Sequence, residues 1–148
     1  MPALLLNGVS KYFGDFKAVD DLSLRVPSGS IYGFIGPNGS GKTTTIRMIM
    51  NIFHSDGGSI EVLGSPRSEV DNNLIGYLPE ERGLYKKMKV RELLQFYGEL
   101  KTGGNVDTQV DSWLNKLELT DWATKKVDAL SKGMSQKVQF IATVVSQP

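Results

Sequence analysis

The segment at residues 36–43 constrains this chain more than any other. Its sequence, GPNGSGKT, fits the pattern G-x-x-x-x-G-K-[ST] from Gly36 to Thr43. The apolar run IYGFIG comes before it, and a helix-forming segment follows. We therefore predict a strand buried on both faces, then a glycine-rich loop, then a helix from about Gly41 to about Phe53. The side chains predicted to face inward on that helix are Ile46, Ile49, Met50 and Phe53.

The residue types in this loop favour binding of a polyanion. Glycine at positions 36, 39 and 41 permits backbone conformations closed to other residues, so that several N–H groups can point into one concavity. The N-terminal end of the following helix is positive. Lys42 can reach terminal phosphates, and the Thr43 hydroxyl is a hard oxygen ligand suited to Mg²⁺. The alternative, a glycine-rich surface turn, does not explain the strand and helix patterns on either side.

Composition and hydropathy exclude several other classes. The chain of 148 residues is 40% hydrophobic and 22% charged, as expected for one soluble domain. A net charge of +1 gives no bias toward nucleic acid or an anionic membrane. The absence of cysteine excludes disulfides and thiolate metal sites. No segment has the length of a membrane span or the pattern of a secretory leader. We therefore expect any link to a membrane to come through a partner.

The remaining patterns divide the chain into a strand-rich first half and a helical second half. ALLLNGV, residues 22–26 and SIEV predict short strands, and NNLIGYLP contains one more. Three later segments have helical spacing. Their predicted inward residues are Val90, Leu93, Leu94, Tyr97 and Leu100; then Val106, Val110, Trp113, Leu114 and Leu117; then Met134, Val138, Ile141, Ala142 and Val145. We expect an α/β core with a helical lobe inserted after GYLPEE.

Three landmarks, taken with the glycine-rich loop, resemble the ATP-binding subunits of ABC transporters. The stretch SKYFGDFKAVDDLSLRVPSGSIYGFIGPNGSGKTTTIRMI looks like the opening of that family. IGYLPEERGLY lies where the family has its glutamine loop. ALSKGMSQKVQF resembles its signature sequence, usually Leu-Ser-Gly-Gly-Gln. The resemblance covers essentially the whole chain, and the YLPEERGLY and LSKGM variants are closest to the exporter branch that includes sodium and drug efflux systems.

This resemblance implies an α/β fold, that of a P-loop NTPase of the ABC ATPase type. It implies an N-terminal antiparallel β-subdomain, a partial RecA-like core and an inserted helical subdomain. The expected divisions are a β-rich ATP-binding core at 1–78, the helical subdomain at 79–130 and the signature helix at 131–148. In the family, that helix is followed by a strand that ends in an aspartate for Mg²⁺ and a glutamate that activates water. The switch histidine comes after them. We therefore expect an N-terminal portion of a longer subunit, with the C-terminal part of the core missing.

The resemblance also implies roles for individual residues around the loop. Lys42 is the catalytic residue, and Thr43 with Glu80 would hold Mg²⁺. Glu80 stands where the family usually has glutamine, and the alternative is a solvated acidic loop, PEER. Phe13 matches the aromatic residue that stacks on adenine, although Tyr12 or a purely structural core aromatic is an alternative. The loop residues expected to bind nucleotide are Gly36, Asn38, Gly39, Ser40, Gly41, Lys42, Thr43 and Thr44.

A second group of residues is implied to act on nucleotide held by another copy. Ser131 and Gly133 match the signature residues that bind the γ-phosphate in trans. A serine before exposed helical N–H groups can also be an ordinary helix N-cap. Lys132 and Met134 depart from the family pattern, and the added charge of Lys132 could compensate for the missing glutamine.

The function implied is that of an ATP-hydrolysing subunit that powers an ABC transporter. It would use ATP and Mg²⁺, pair with a second copy and a transmembrane permease subunit, and bind no nucleic acid. It would lie in the cytoplasm, on the inner face of the cell membrane. As a fragment it should bind ATP weakly and hydrolyse it poorly. Alternatives are a soluble ABC-type ATPase of repair or translation, a small kinase, and a nucleotide-binding module without turnover.

Overall fold

A computed structural model describes residues 1–79 and 83–148 of the chain. The chain forms two compact units, Met1–Asn72 and Asn73–Pro148, which are described separately below. The divisions at 78 and 130 implied by the resemblance stay predictions.

The first unit is built on a four-stranded antiparallel sheet in the order β2-β1-β3-β4. The strands are β1 (Pro2–Phe13), β2 (Phe16–Pro27), β3 (Gly57–Val62) and β4 (Ser65–Pro66). They confirm the strands predicted in the first 27 residues and in SIEV. β1 and β2 form a hairpin in which Phe13 lies opposite Phe16, and Gly14 makes the turn at a positive φ of 59°.

One helix, α1 (Lys42–Ile49), packs against this sheet. It is shorter than predicted, and Asn51 follows it at a left-handed φ of 58°. Its most buried side chains are Thr45 and Met48, each 1% exposed, whereas Ile46 and Met50 are only half-buried. The prediction that Ile49 and Phe53 face inward is confirmed, since both pack against the core. The buried core of the unit is small: Leu6, Val9, Val19 and Met48 form one cluster, and Val62 is buried as well.

The predicted strand before the glycine-rich loop does not form. Residues 31–36 have no regular secondary structure, and Ile31 and Ile35 are 104% and 94% exposed. A strand buried on both faces needs hydrogen-bonding partners on both edges. No strand in the described part of the chain pairs with this segment, so the apolar run has nothing to pack on. The strand predicted in NNLIGYLP is also absent from the portion up to residue 79.

The second unit is helical. Its helices are α2 (Val90–Thr102), α3 (Asp107–Lys116) and α4 (Lys132–Val144), with short 3-10 turns at Thr120–Trp122 and Val127–Ala129. All three helices confirm the predicted spacing. The buried apolar side chains are Val90, Leu93, Leu94, Val106, Val110, Leu114, Leu119, Val127, Val138, Ile141 and Val145.

One predicted core residue of this unit is wrong. Leu100, in the last turn of α2, is 71% exposed, although Tyr97 packs against the core as predicted. The core thus covers only the first part of the helical stripe. None of the helices in the described part of the chain has the length and apolar composition that a bilayer span requires.

Candidate nucleotide site

The glycine-rich loop folds around the ammonium group of its own lysine. Lys42 Nζ donates hydrogen bonds to Gly36 O at 2.7 Å and to Pro37 O at 2.6 Å. It lies 3.3 Å from the Ser40 hydroxyl oxygen. Three loop oxygens therefore surround one positive charge at the start of α1. A compact ammonium can donate to several acceptors at once, which suits it to this position.

The three glycines of the loop differ in what constrains them. Gly39 and Gly41 both have φ at 82°, which side chains rarely adopt. At Gly36 a Cβ would lie 2.7 Å from Ser40 Oγ, so a larger residue there would require the Ser40 side chain to move. A Cβ on Gly41 would in addition overlap the carbonyl oxygen of Ala18, so α1 begins in direct contact with β2. The predicted conformational freedom is thus confirmed at positions 39 and 41.

The start of α1 offers backbone donors beside the lysine. The first helical bond runs from Thr45 N–H to Gly41 O at 2.8 Å. The N–H groups of residues 42–44 precede it and have no carbonyl in the helix to bind. Together with the positive end of the helix, they provide the donors that an anion needs.

The donor set also fits Mg²⁺. The Thr43 side chain is exposed, and its hydroxyl makes no hydrogen bond within the described residues, whereas the Thr45 hydroxyl donates to Gly41 O. Among the described residues there is no cluster of three His, Cys, Asp or Glu that could hold a metal. A hydroxyl that leaves most of the coordination shell to phosphate oxygens and water is how Mg²⁺ is usually held at such sites. Glu80, the second predicted metal ligand, lies outside the described residues.

Both candidate base-stacking aromatics lie at the tip of the β1–β2 hairpin. Phe13 is 45% exposed and packs edge-to-face on Phe53, with ring centroids 5.5 Å apart and an interplanar angle of 73°. Tyr12 is 43% exposed, and Lys17 Nζ lies 5.4 Å from its ring centroid. Neither ring is a core residue. Neighbours in a strand point to opposite faces, so at most one of the two can face a given ligand.

The start of α4 is a capped helix terminus. Ser131 is the N-cap, and its hydroxyl accepts a hydrogen bond from Met134 N–H at 3.2 Å. Lys132 and Gly133 are exposed in the first turn, and a Cβ on Gly133 would meet nothing within 4 Å. The N-cap interpretation of Ser131 is therefore confirmed. It does not exclude binding of an anion, because the neighbouring exposed backbone remains accessible.

Comparison with known proteins identifies the family. The family model for ABC transporters matches residues 19–148.

The chain belongs to the ABC transporter ATP-binding family.

Two relatives illustrate the similarity. The ABC transporter ATP-binding protein YhaQ of Bacillus subtilis is 46% identical over 147 residues, which are 98% of this chain and 49% of YhaQ. The ABC transporter ATP-binding protein MJ1023 of Methanocaldococcus jannaschii is 43% identical over 149 residues, 99% of this chain and 53% of that protein. The chain thus spans about half the length of the relatives it matches.

Solved structures confirm the predicted fold class. A nucleotide-free ATP-binding cassette from an ABC transporter superposes with a TM-score of 0.83 at 26% identity, over 100% of this chain and 66% of that one. The antiparallel sheet, the loop with α1 and the helices of the second unit are therefore parts of an ABC-type P-loop NTPase fold.

One residue of this ABC-family chain that makes contacts at the hairpin tip was not indicated by the sequence. The carboxylate of Asp56 accepts hydrogen bonds from Tyr12 N–H at 2.7 Å and from Lys11 Nζ at 3.0 Å. The N–H of Tyr12, and to a smaller extent Lys11, hold the pKa of Asp56 below its usual value. No motif could have indicated these contacts, because the partners are 44 and 45 residues apart in sequence.

Proposed function

We propose that this chain binds Mg²⁺–ATP at residues 36–44 and serves as the ATP-hydrolysing subunit of an ABC transporter. The observation that carries the proposal is the position of Lys42 Nζ, 2.7 Å from Gly36 O at the N-terminal end of α1. A cation and a row of unpartnered helical N–H groups meet there, which is the arrangement that a polyphosphate requires. Membership of the ABC transporter family supports ATP as the polyphosphate.

Each loop residue has a proposed part in holding the nucleotide. Lys42 exchanges its bonds to the loop carbonyls for bonds to the β- and γ-phosphates, where its charge also stabilises the transferring phosphoryl group. The N–H groups of Gly39, Gly41 and Thr44 face the same phosphates. The Thr43 hydroxyl is one Mg²⁺ ligand, and Glu80 is proposed as another. When bound, Mg²⁺ supplies neutralisation of phosphate charge.

Two further contacts complete the proposed site. Phe13 stacks on the adenine base, which is worth roughly 1–3 kcal/mol for aromatic–base contacts elsewhere. Ser131 and Gly133 of one copy bind the γ-phosphate of ATP held by the loop of a second copy. ATP then closes a dimer of two such subunits. The proposed assignment to the exporter branch of the family rests on the sequence variants YLPEERGLY and LSKGM alone.

ATP binding and hydrolysis by this dimer would drive a transmembrane permease subunit. The chain would bind that subunit on its cytoplasmic side. Family membership supports that pairing. Phosphoryl transfer also needs a residue that orients the attacking water. We assign that role to none of the described residues.

The test is calorimetric titration of the purified protein with Mg²⁺–ATP. Lys42→Ala should weaken binding roughly 10- to 150-fold, because a hydrogen-bonded charge contributes about 1.5–3 kcal/mol. Lys137→Ala is the matched control, since Lys137 Nζ also donates to a backbone carbonyl, Leu117 O at 2.9 Å. The control should bind as the wild type does. Equal affinity of Lys42→Ala and the wild type would refute the proposed site.

A further inference from the structure

We propose that Asp56 is a positioning residue for the nucleotide base, because it fixes the hairpin tip that carries Phe13. This inference rests on the proposed stacking role of Phe13. Asp56 itself lies outside the glycine-rich loop and touches no residue assigned to phosphate or metal. Its effect would therefore be on how much the base adds to binding, and not on whether a triphosphate binds.

Asp56 is attached to β1 at three consecutive residues. Its N–H donates to Ser10 O at 2.9 Å, and its carboxylate accepts from Lys11 Nζ at 3.0 Å and from Tyr12 N–H at 2.7 Å. Phe13 is the next residue along the strand. The last three residues of β1 before Phe13 are thus held by one side chain and its backbone.

These contacts matter because the hairpin tip has no other strand on this edge within the described residues. The pairing of β1 with β3 ends at Ser10 and Gly57, so β1 beyond Ser10 projects past β3. The carboxylate takes over at that point, since Tyr12 N–H bonds to Asp56 instead of to a strand. Without this acceptor the last residues of β1 would be held in the sheet only by β2.

The segment from Phe53 to Asp56 also contacts the Phe13 ring. Phe53 packs edge-to-face on Phe13, and Arg47 in α1 lies 5.8 Å from the Phe53 ring centroid. Phe53 N–H donates to Arg47 O at 3.3 Å. The segment from Phe53 to Asp56 therefore connects the tip of the hairpin directly to α1, the helix that begins in the phosphate-binding loop.

The hairpin and the loop meet a second time through Gly41. Its backbone lies against β2 so closely that a Cβ at this position would be 2.4 Å from Ala18 O. Ala18 is two residues along β2 from Phe16, a separation of roughly 7 Å in a strand. Phe16 is the residue that pairs with Phe13. The strand pair that carries Phe13 therefore contacts the end of the loop, and Asp56 holds the part of β1 next to Phe13.

The experiment compares two ligands in the purified protein: Mg²⁺–ATP and Mg²⁺–tripolyphosphate, which has the phosphates but no base. The ratio of their affinities, measured by calorimetry, isolates the contribution of the base and its sugar. Phe13→Ala should reduce that ratio roughly 5- to 150-fold, as expected from the strength of aromatic–base stacking. Asp56→Ala should reduce it about 3- to 10-fold, with tripolyphosphate affinity changed less than about twofold, because the ring remains but is no longer held in place.

Two further variants keep the test decisive. Asp56→Asn retains an acceptor for Tyr12 N–H, so it should fold even if Asp56→Ala does not, and its ratio should fall about two- to threefold. Asp20→Ala removes a different carboxylate from the same hairpin, one paired with Lys17 at 2.7 Å, and should leave the ratio unchanged.

The outcomes separate this inference from the proposed function. If Phe13→Ala leaves the affinity ratio unchanged, the stacking role is wrong and the role of Asp56 fails with it. If Phe13→Ala lowers the ratio but neither Asp56 variant does, only the positioning role is overturned. A parallel loss of both ligands in the Asp56 variants would also overturn it, since that result indicates general damage to the fold.

Discussion

The two units of this chain differ in how completely each closes its own core. The second unit buries eleven apolar residues, drawn mainly from three helices. The first buries five, and leaves Ile31 and Ile35 almost fully exposed beside the loop that carries its candidate site. The difference follows from hydrogen bonding. A helix satisfies its backbone within its own segment, whereas a strand needs partners on its edges.

The two units therefore differ in what surrounds their candidate residues. The helical unit has a packed interior and the capped, exposed start of α4. The first unit carries Lys42 and Thr43 at the start of α1 and Phe13 at the end of β1, and the isoleucines of its apolar run at 31–36 are exposed. We therefore expect substitutions to act differently in the two units.

The largest effect should come from the core of the second unit. Leu93 is fully buried, so Leu93→Ala should lower the free energy of unfolding by about 2–5 kcal/mol. Urea unfolding followed by tryptophan fluorescence measures this unit selectively, because both tryptophans, Trp113 and Trp122, lie in it. Leu100→Ala is the control on the same helix and should change stability by less than about 0.5 kcal/mol. A loss below about 1 kcal/mol for Leu93→Ala would mean that the core is not closed as described.

The next effect should come from the contact between the loop and the sheet in the first unit. Gly39 and Gly41 share a φ of 82°, so alanine at either position should cost roughly 1–2 kcal/mol of backbone strain. Only Gly41→Ala also pushes a Cβ into Ala18 O, which should add about 1–3 kcal/mol. Thermal unfolding followed by far-ultraviolet circular dichroism compares the two variants. Equal destabilisation would show that α1 does not press against β2.

The smallest change in stability should come at the start of α4, where the function assigned to that helix terminus can be tested. Ser131→Ala removes the N-cap and should cost about 1 kcal/mol in the second unit. Ser131→Asp keeps a capping acceptor but places a negative charge where the γ-phosphate would bind, so it should preserve stability and abolish ATP-driven dimerisation. Light scattering with Mg²⁺–ATP measures the dimer, and Ser135→Ala on the same helix is the control. Wild-type dimerisation by Ser131→Asp would leave Ser131 as a cap and nothing more.

Much of the fold was predictable wherever the deciding interactions are local. The helical stripes of α2, α3 and α4 specify their own buried faces, and the alternation at 22–26 specifies β2. The apolar run at 31–36 could not be assigned reliably, because a strand exists only if other strands bind it. The error at Leu100 has a related cause. The apolar spacing of a helix can continue to its last turn even where no other element covers that turn.

The candidate site divides in the same way. Lys42, Thr43 and the glycines at 39 and 41 belong to one contiguous motif, so the sequence alone could indicate them as candidates, and their roles stay predictions. The contacts of Asp56 join residues more than forty positions apart, and they depend on how the hairpin tip meets the end of α1. Local sequence pattern carries no information about tertiary contacts of this kind.

The bonds from Lys42 to its own loop have a consequence for selectivity. A lysine side chain carries about 2 kcal/mol of rotamer entropy, and most of it is already lost when Nζ is held by two carbonyl oxygens. An arriving anion therefore meets a preorganised cation, but it must compete with those oxygens to obtain it. If the loop is the proposed phosphate site, an anion of low charge should gain less from that exchange than a polyphosphate does. We therefore expect the loop to favour anions of high charge density.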